Sequence, residues 1–320
     1  MTETQRKRRT LIIGLAFLTP LLIATLLINR FYFSARSADR MPIPPQCRIL
    51  ILGDSHVSFG IDPAIIGPAV NFSSYGESYI QNFYKLKYAL TVGRSIRTVI
   101  LPIDLHSFSS FRLERIGFNP HWAAYIDYLE LGRIKGRFPE YLVKTIDLRL
   151  WAYRGQYGRL LPFLFPSDRR PKAIRPDIER GFTPKTGFFF RKKQGRSWNR
   201  VRRQLLGFNH FHPQLVLFFR RILSLCAERD IRVVLVKMPI TSRYYRHAAR
   251  LVPVDDFYGR IERIAGEYPG VHRLNYQAIY FKLENWLFFD AEHLNNRGAR
   301  HLSDLLRKNL IQLGLLPSPG

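Results

Sequence analysis

Cysteine is nearly absent. The 320-residue chain has two, Cys47 and Cys226, too few for the disulfide scaffold of a small secreted domain or for a cysteine-rich metal module. In an extracytoplasmic domain the two could pair, although one precedes the first expected strand and the other falls late in an expected helix. Acidic residues are also scarce: 24 Asp and Glu stand against 50 Lys and Arg, a formal net charge of +26. That excess suggests anionic surroundings, whether phospholipid head groups, acidic glycan or nucleic acid. Nucleic acid is disfavoured, because no zinc-finger spacing or other recognised binding motif accompanies the arginines. No internal repeat is visible. Two-metal phosphoesterases need an Asp-x-His block and a Gly-Asn-His block with several further ligands; neither block is read here, so no metal and no other cofactor is expected. His210 and His212, two apart in a loop, read as solvated.

Long apolar runs are rare too, with one exception. Residues 11–28 contain no charged side chain, and Phe31, Tyr32 and Phe33 follow. About 20 apolar residues span a bilayer as a helix, and aromatic rings suit its interface. A transmembrane anchor over 11–33 is expected, after a basic tail at 1–10. A cleaved signal peptide is the competing reading, against which Ala35-Arg36-Ser37 is a poor cleavage site. Arg6, Lys7, Arg8 and Arg9 precede the run, while Arg30, Arg36 and Arg40 follow it. The positive-inside asymmetry is slight and puts the N-terminus in the cytoplasm. Residues 34–46, with three prolines between 41 and 46, then link to an extracytoplasmic, periplasmic domain over 47–320.

That domain opens with Arg48-Ile-Leu-Ile-Leu-Gly-Asp-Ser-His56. The run Ile49–Leu52 is too short for a helix and reads as a buried strand. Gly53 supplies the turn and Asp54 a helix N-cap before Val57. Ser55 therefore falls at a strand's carboxyl end beside a helix N-terminus, where open parallel sheets hold their ligands. Far downstream, Phe289-Asp290-Ala291-Glu292-His293-Leu294-Asn295 places a carboxylate three residues before an imidazole. On a turn that spacing lets Asp290 orient His293, and His293 take a proton from Ser55. Alone, a Gly-Asp-Ser is a common turn and an Asp-x-x-His a common surface cap. Together, the serine after the first strand and the histidine before the last helix resemble the SGNH (GDSL-type) hydrolase superfamily. Residues 289–295 with Gly298 resemble its membrane-attached branch, which contains the D-alanyl-transfer protein of teichoic acid modification and the alginate O-acetylation proteins.

The resemblance covers about 48–104 and 214–313. It implies catalytic Ser55, His293 and Asp290, with backbone N–H groups of Ser55 and Gly76 as the oxyanion hole; a glycine needed only for turn geometry is the other reading of Gly76. Hydrolytic members carry a Gly-x-Asn-Asp block where this chain reads Leu101-Pro-Ile-Asp-Leu-His106, so their oxyanion asparagine has no counterpart. Asp54, His56, Asp104 and Asn295 are candidates to line the site, with a solvated loop position as the alternative for Asp104. Strands at Ala69–Phe72, Arg97–Asp104, Ile231–Met238 and Val271–Leu274 alternate with helices at Tyr79–Val92, from Pro213, at Asp255–Tyr268 and at Arg297–Leu313, closed by Gly314. This pattern predicts a flavodoxin-like three-layer α/β/α sandwich. Between 107 and 212 prolines, arginines and aromatics interleave, including Trp122, Trp151, Trp198 and Phe188-Phe189-Phe190. This stretch reads as a helical and irregular insertion capping the site. The functional expectation is an O-acyltransferase or esterase acting on an envelope glycan, with a membrane-embedded acyltransferase as a possible acyl donor. The alternative is a non-catalytic tethered protein that binds glycan or such a partner.

Overall fold

In the computed structural model of the chain, residues 3–37, 41–114, 116, 125–150, 181–189 and 196–318 are described. The chain divides into two units, residues 1–40 with 118–173, and residues 41–117 with 174–320. The first contains helix α1 (Glu3–Ser37), a single run of 35 residues interrupted by no break at Pro20. Its side chains are described in part, and among the described residues no helix is long and apolar enough to cross a membrane. Helices α6 (Tyr128–Ile134) and α7 (Phe138–Leu150) belong to the same unit, and α7 touches α1. Asp127 caps α6 by accepting from the N–H groups of Leu129 and Glu130. Of the expected insertion, Trp122, Trp151 and Phe190 lie outside the described residues.

The second unit is an α/β fold built on five parallel strands: β1 (Ile49–Ile51), β2 (Ala69–Asn71), β3 (Thr98–Pro102), β4 (Arg232–Lys237) and β5 (Val271–Asn275). Their order is β2-β1-β3-β4-β5, the flavodoxin-like arrangement. Every residue of β1 and β3 is buried, which is why these strands are unbroken apolar runs instead of alternating ones. At the edge, β5 alternates between half-buried and exposed positions. Helix α4 (Tyr79–Val92) packs on α9 (Pro213–Ala227), and α13 (Asn296–Gln312) packs on the short α2 (Ser55–Gly60) and α3 (Pro63–Ile66). The arrangement is consistent with a three-layer sandwich. Ser78 and Gln81 form a capping box on α4, Pro213 opens α9, and Gly314 ends α13 at φ +70°, as the local sequence dictates.

The order positions the site. From β1 the chain moves out to β2 on one side, then crosses to β3 on the other, so the carboxyl ends of β1 and β3 form the switch point at which such folds hold ligands. Ile51 pairs with Ile100, and the loops leaving the two strands, Gly53–His56 and Ile103–His106, emerge side by side. Cys47 and Cys226 are both buried and free, so the pairing considered for them does not occur here. Burial pushes their thiols up, to about 11 and about 12.

Candidate active site

Ser55 is the first residue of α2. Asp54, its N-cap, accepts from the backbone N–H of His56 at 2.9 Å, the role the sequence predicted. Gly53 has φ +141°, and a Cβ there would come within 2.7 Å of Val57 Cγ2 and 2.8 Å of Pro102. Only glycine permits this turn. Its N–H donates to Asn82 Oδ1 on α4 at 3.2 Å, fixing the loop from behind.

His293 Nε2 lies 2.9 Å from Ser55 Oγ, and its Nδ1 lies 3.0 Å from both carboxylate oxygens of Asp290. Asp290 also accepts from the backbone N–H groups of Glu292 and His293, at 3.1 and 3.0 Å, and from Arg200 at 3.0 Å. Arg200 comes from α8 (Arg196–Leu205), inside the expected insertion. Burial alone would raise the Asp290 carboxyl; His293 and Arg200 outweigh it and hold the group below its ordinary value. An ionised Asp290 claims the Nδ1 proton, which leaves the Nε2 lone pair facing Ser55.

Behind this triad lies a layer of buried ionisable groups. Asp54 faces His106 Nε2 at 2.9 Å and the Arg112 guanidinium. Burial opposes its charge, yet Arg112, His56 and His106 together hold its carboxyl well below the usual range. His56 stands between Asp104, whose Oδ2 is 3.1 Å from Nδ1, and Glu292, whose Oε2 is 3.4 Å from Nε2. The Asp104 contact is close but lacks hydrogen-bond alignment at either atom, so it is an ion pair. Burial disfavours an imidazolium; Asp104, Asp54 and Glu292 reverse that and hold His56 well above its ordinary value. Glu292 accepts from Gln204 Nε2 at 2.9 and 3.2 Å and pairs with Arg200 at 2.8 Å. Gln204 in turn accepts from Tyr244 Oη at 2.5 Å. Against the cost of burial, His56, His293 and Arg200 keep Glu292 well below a normal carboxyl. His106 is pushed down by burial and then by Arg112, so a neutral ring donates Nε2–H to Asp54.

Ser55, His293 and Asp290 are thus brought together. Asp104 differs from the solvated loop position considered for it: it is buried, pairs with His56 and accepts the Met238 N–H at 2.9 Å. As a carboxylate it cannot donate to an oxyanion. Asp54 and His56 are buried beneath the serine. Asn295 is fully used as the N-cap of α13, accepting from Arg297 and Gly298 and donating to the carbonyls of Trp286, Phe288 and Gly187. Gly76 has φ +72° with open space where a Cβ would stand; its neighbour Tyr75 packs on Phe59, whose ring meets His293 edge-on at 4.9 Å. His210 is half-buried, and His212 is the N-cap of α9, accepting the Gln214 N–H at 3.3 Å.

His106, Arg112, Arg200, Gln204, Tyr244 and the role of Glu292 were not foreseen. One signal was legible. The Asp-x-His pattern, taken as missing with its phosphoesterase partner, in fact occurs twice, as Asp54-Ser55-His56 and Asp104-Leu105-His106, after two adjacent strands. Their donor atoms lie within 4.8 Å of one another, a spacing that suits a cation, which there would have to displace Arg112 from Asp54.

No family model and no curated protein matches the chain. Among solved structures it is similar to a protein from Streptococcus pneumonia provisionally named a platelet activating factor. The match covers 93 % of this chain and 99 % of that one, at 13 % identity and a TM-score of 0.41. At that score the likeness is loose.

Proposed function

We propose that the chain is a membrane-tethered serine acyltransferase or esterase of the SGNH type, acting outside the cytoplasm on an envelope glycan. The observation that carries this reading is the unbroken line from Asp290 through His293 to Ser55, at 3.0 and 2.9 Å, at the carboxyl end of β1. His293 Nε2 takes the Oγ proton as Ser55 attacks the acyl carbonyl. The N–H groups of Ser55 and Gly76, neither of which has an acceptor among the described residues, suit the oxyanion. His293 then returns the proton to the leaving oxygen. In the second half-reaction it deprotonates the acceptor, which is water in an esterase and a sugar hydroxyl in a transferase.

Tethering is supported by the uncharged run 11–28 and by α1 itself, on which Ile12, Ile13, Leu15, Leu18, Leu22, Ile23, Leu26 and Leu27 are all exposed. Such a surface is costly in water and favourable in lipid. Transfer to a glycan rests on the resemblance of residues 289–298 to the membrane-attached branch. The test is mass spectrometry of the protein after incubation with an activated acyl ester. An adduct on Ser55 that is absent from Ser55→Ala is expected; a wild-type protein that neither acylates nor hydrolyses would leave a binding protein with an inherited site. A reporter active only outside the cytoplasm, fused after Gly320, checks the topology.

A further inference from the structure

We infer that Lys185 forms an anion-binding subsite at the mouth of the serine site and selects a substrate that carries a carboxylate or phosphate on its acceptor side. Its Nζ lies 4.4 Å from the centroid of Phe59, 5.6 Å from Tyr75 and 6.0 Å from Phe289. Phe59 is the ring that meets His293 edge-on at 4.9 Å, and Phe289 directly precedes Asp290. The ammonium therefore lies against the same aromatic ring that packs on His293.

Its position is built. The Lys185 carbonyl accepts from Asn296 N–H at 2.8 Å, Thr183 N–H donates to the Ser58 carbonyl at 2.9 Å, and the Gly187 carbonyl accepts from Asn295 Nδ2 at 3.0 Å. These bonds tie the segment to α2 on one side and to the start of α13 on the other. Among the described residues no carboxylate pairs with Lys185, and the side chain is half-buried. Three ring faces hold a cation without consuming its N–H donors. A half-desolvated ammonium with free donors binds an anion more strongly than one in bulk water, because the local dielectric is lower. The walls of Phe59 and Tyr75 offer apolar surface to the body of the same ligand.

The inference rests on the serine reading, and the test keeps the two apart. Hydrolysis of phenyl acetate, 4-acetoxybenzoate and 4-acetoxyphenyl phosphate is compared in wild type, Lys185→Gln and Lys185→Arg. The phenol side occupies the acceptor position, so the two anionic esters should have the lower KM in wild type. Lys185→Gln should erase about tenfold of that preference, in KM more than in kcat, and Lys185→Arg should restore most of it. Whichever anionic ester loses more identifies the anion. An unchanged preference in Lys185→Gln overturns the subsite. If wild type hydrolyses none of the three, the serine reading fails. Calorimetric binding of 4-hydroxybenzoate and phenyl phosphate then decides the subsite: loss of binding in Lys185→Gln upholds it, and equal binding in both proteins sinks it.

Discussion

Glu77 has one ionic partner, Lys85, 2.5 Å away and itself donating to the Phe72 carbonyl at 2.8 Å, whereas Asp54 shares its two oxygens among Arg112, His106 and the His56 N–H. Both groups are shielded from water, yet their proton affinities move in opposite directions. Burial raises the Glu77 carboxyl, with Lys85 only partly offsetting it, and burial lowers Lys85. Asp54 and Glu292 are held well below normal against the same penalty. The difference is the number of partners. Neither Glu77 oxygen has an aligned hydrogen bond, while the site carboxylates accept from several donors each. One counter-ion does not cover the cost of burying a charge; a network of donors does. The ionised carboxylates are concentrated around Ser55 and His293.

The largest expected effect separates chemistry from scaffolding. Ser55→Ala and His293→Ala should each lower kcat/KM for an activated ester by about 10⁴-fold or more, and the double variant little further, since the groups act as one unit. Asp290→Asn should cost less. The denaturant midpoint of the serine variant should stay near wild type, because Ser55 is half-buried and pairs with no buried charge. A well-folded Ser55→Ala protein with full activity would falsify the serine mechanism.

Next in size is the response to breaking each cluster. Arg112→Leu leaves the Asp54 charge buried with histidine partners only and should destabilise by about 3–5 kcal/mol in urea unfolding. Lys85→Met should also be costly. Adding Glu77→Gln should recover much of that loss, since a buried pair can be replaced by neutral groups. No comparable recovery is expected from Asp54→Asn added to Arg112→Leu, because Asp54 also serves His106 and caps α2. Equal recovery in both double variants would abolish the distinction between pair and network.

How much of this could be read from the sequence depended on how far apart the partners lie. β1 and α4 fall within a residue of their expected bounds and α9 starts at its expected Pro213, because apolar runs and the signals at Ser78, Gln81 and Pro213 are local. The triad was legible as two short motifs, since Asp290 and His293 are three apart and Ser55 sits in its own strand-turn-helix. Arg200 and Gln204 were not, because they arrive from an irregular stretch whose pairing with Asp290 and Glu292 spans about 90 residues. The burial of Asp104 against His56 was not legible for a related reason. An aspartate after a strand is solvated by default, and only the fold brings His56 against it. Arg191, Lys192 and Lys193 of the basic insertion lie outside the described residues.

The smallest expected effect, and the sharpest on the comparison, is the sign of the acid slope. Glu292 is held below its unfolded value of about 4 to 4.5, so the folded form binds fewer protons there than the unfolded one. Its contribution is complete above that range and is lost as pH falls below it, through the lower folded value. Glu77 is raised, so the folded form binds more protons, and its protonation on acidification stabilises the fold. The clusters should therefore pull the melting temperature in opposite directions on acidification, Glu77 raising it between neutral pH and the unfolded carboxyl range and Glu292 lowering it below that range. Glu292→Gln should lower the neutral melting temperature, since His56 and Arg200 lose a partner, and flatten the decline on acidification. Glu77→Gln should steepen that decline by a few degrees, because it removes a carboxyl that gains from protonation. His56, raised by its acidic neighbours, adds stability that is complete below about 6.5 and lost as pH rises through its higher folded value. The wild-type optimum should accordingly lie above the carboxyl range and below the point where His56 loses its proton. Parallel acid slopes for the two glutamine variants would mean that the partner count does not set the direction of these shifts.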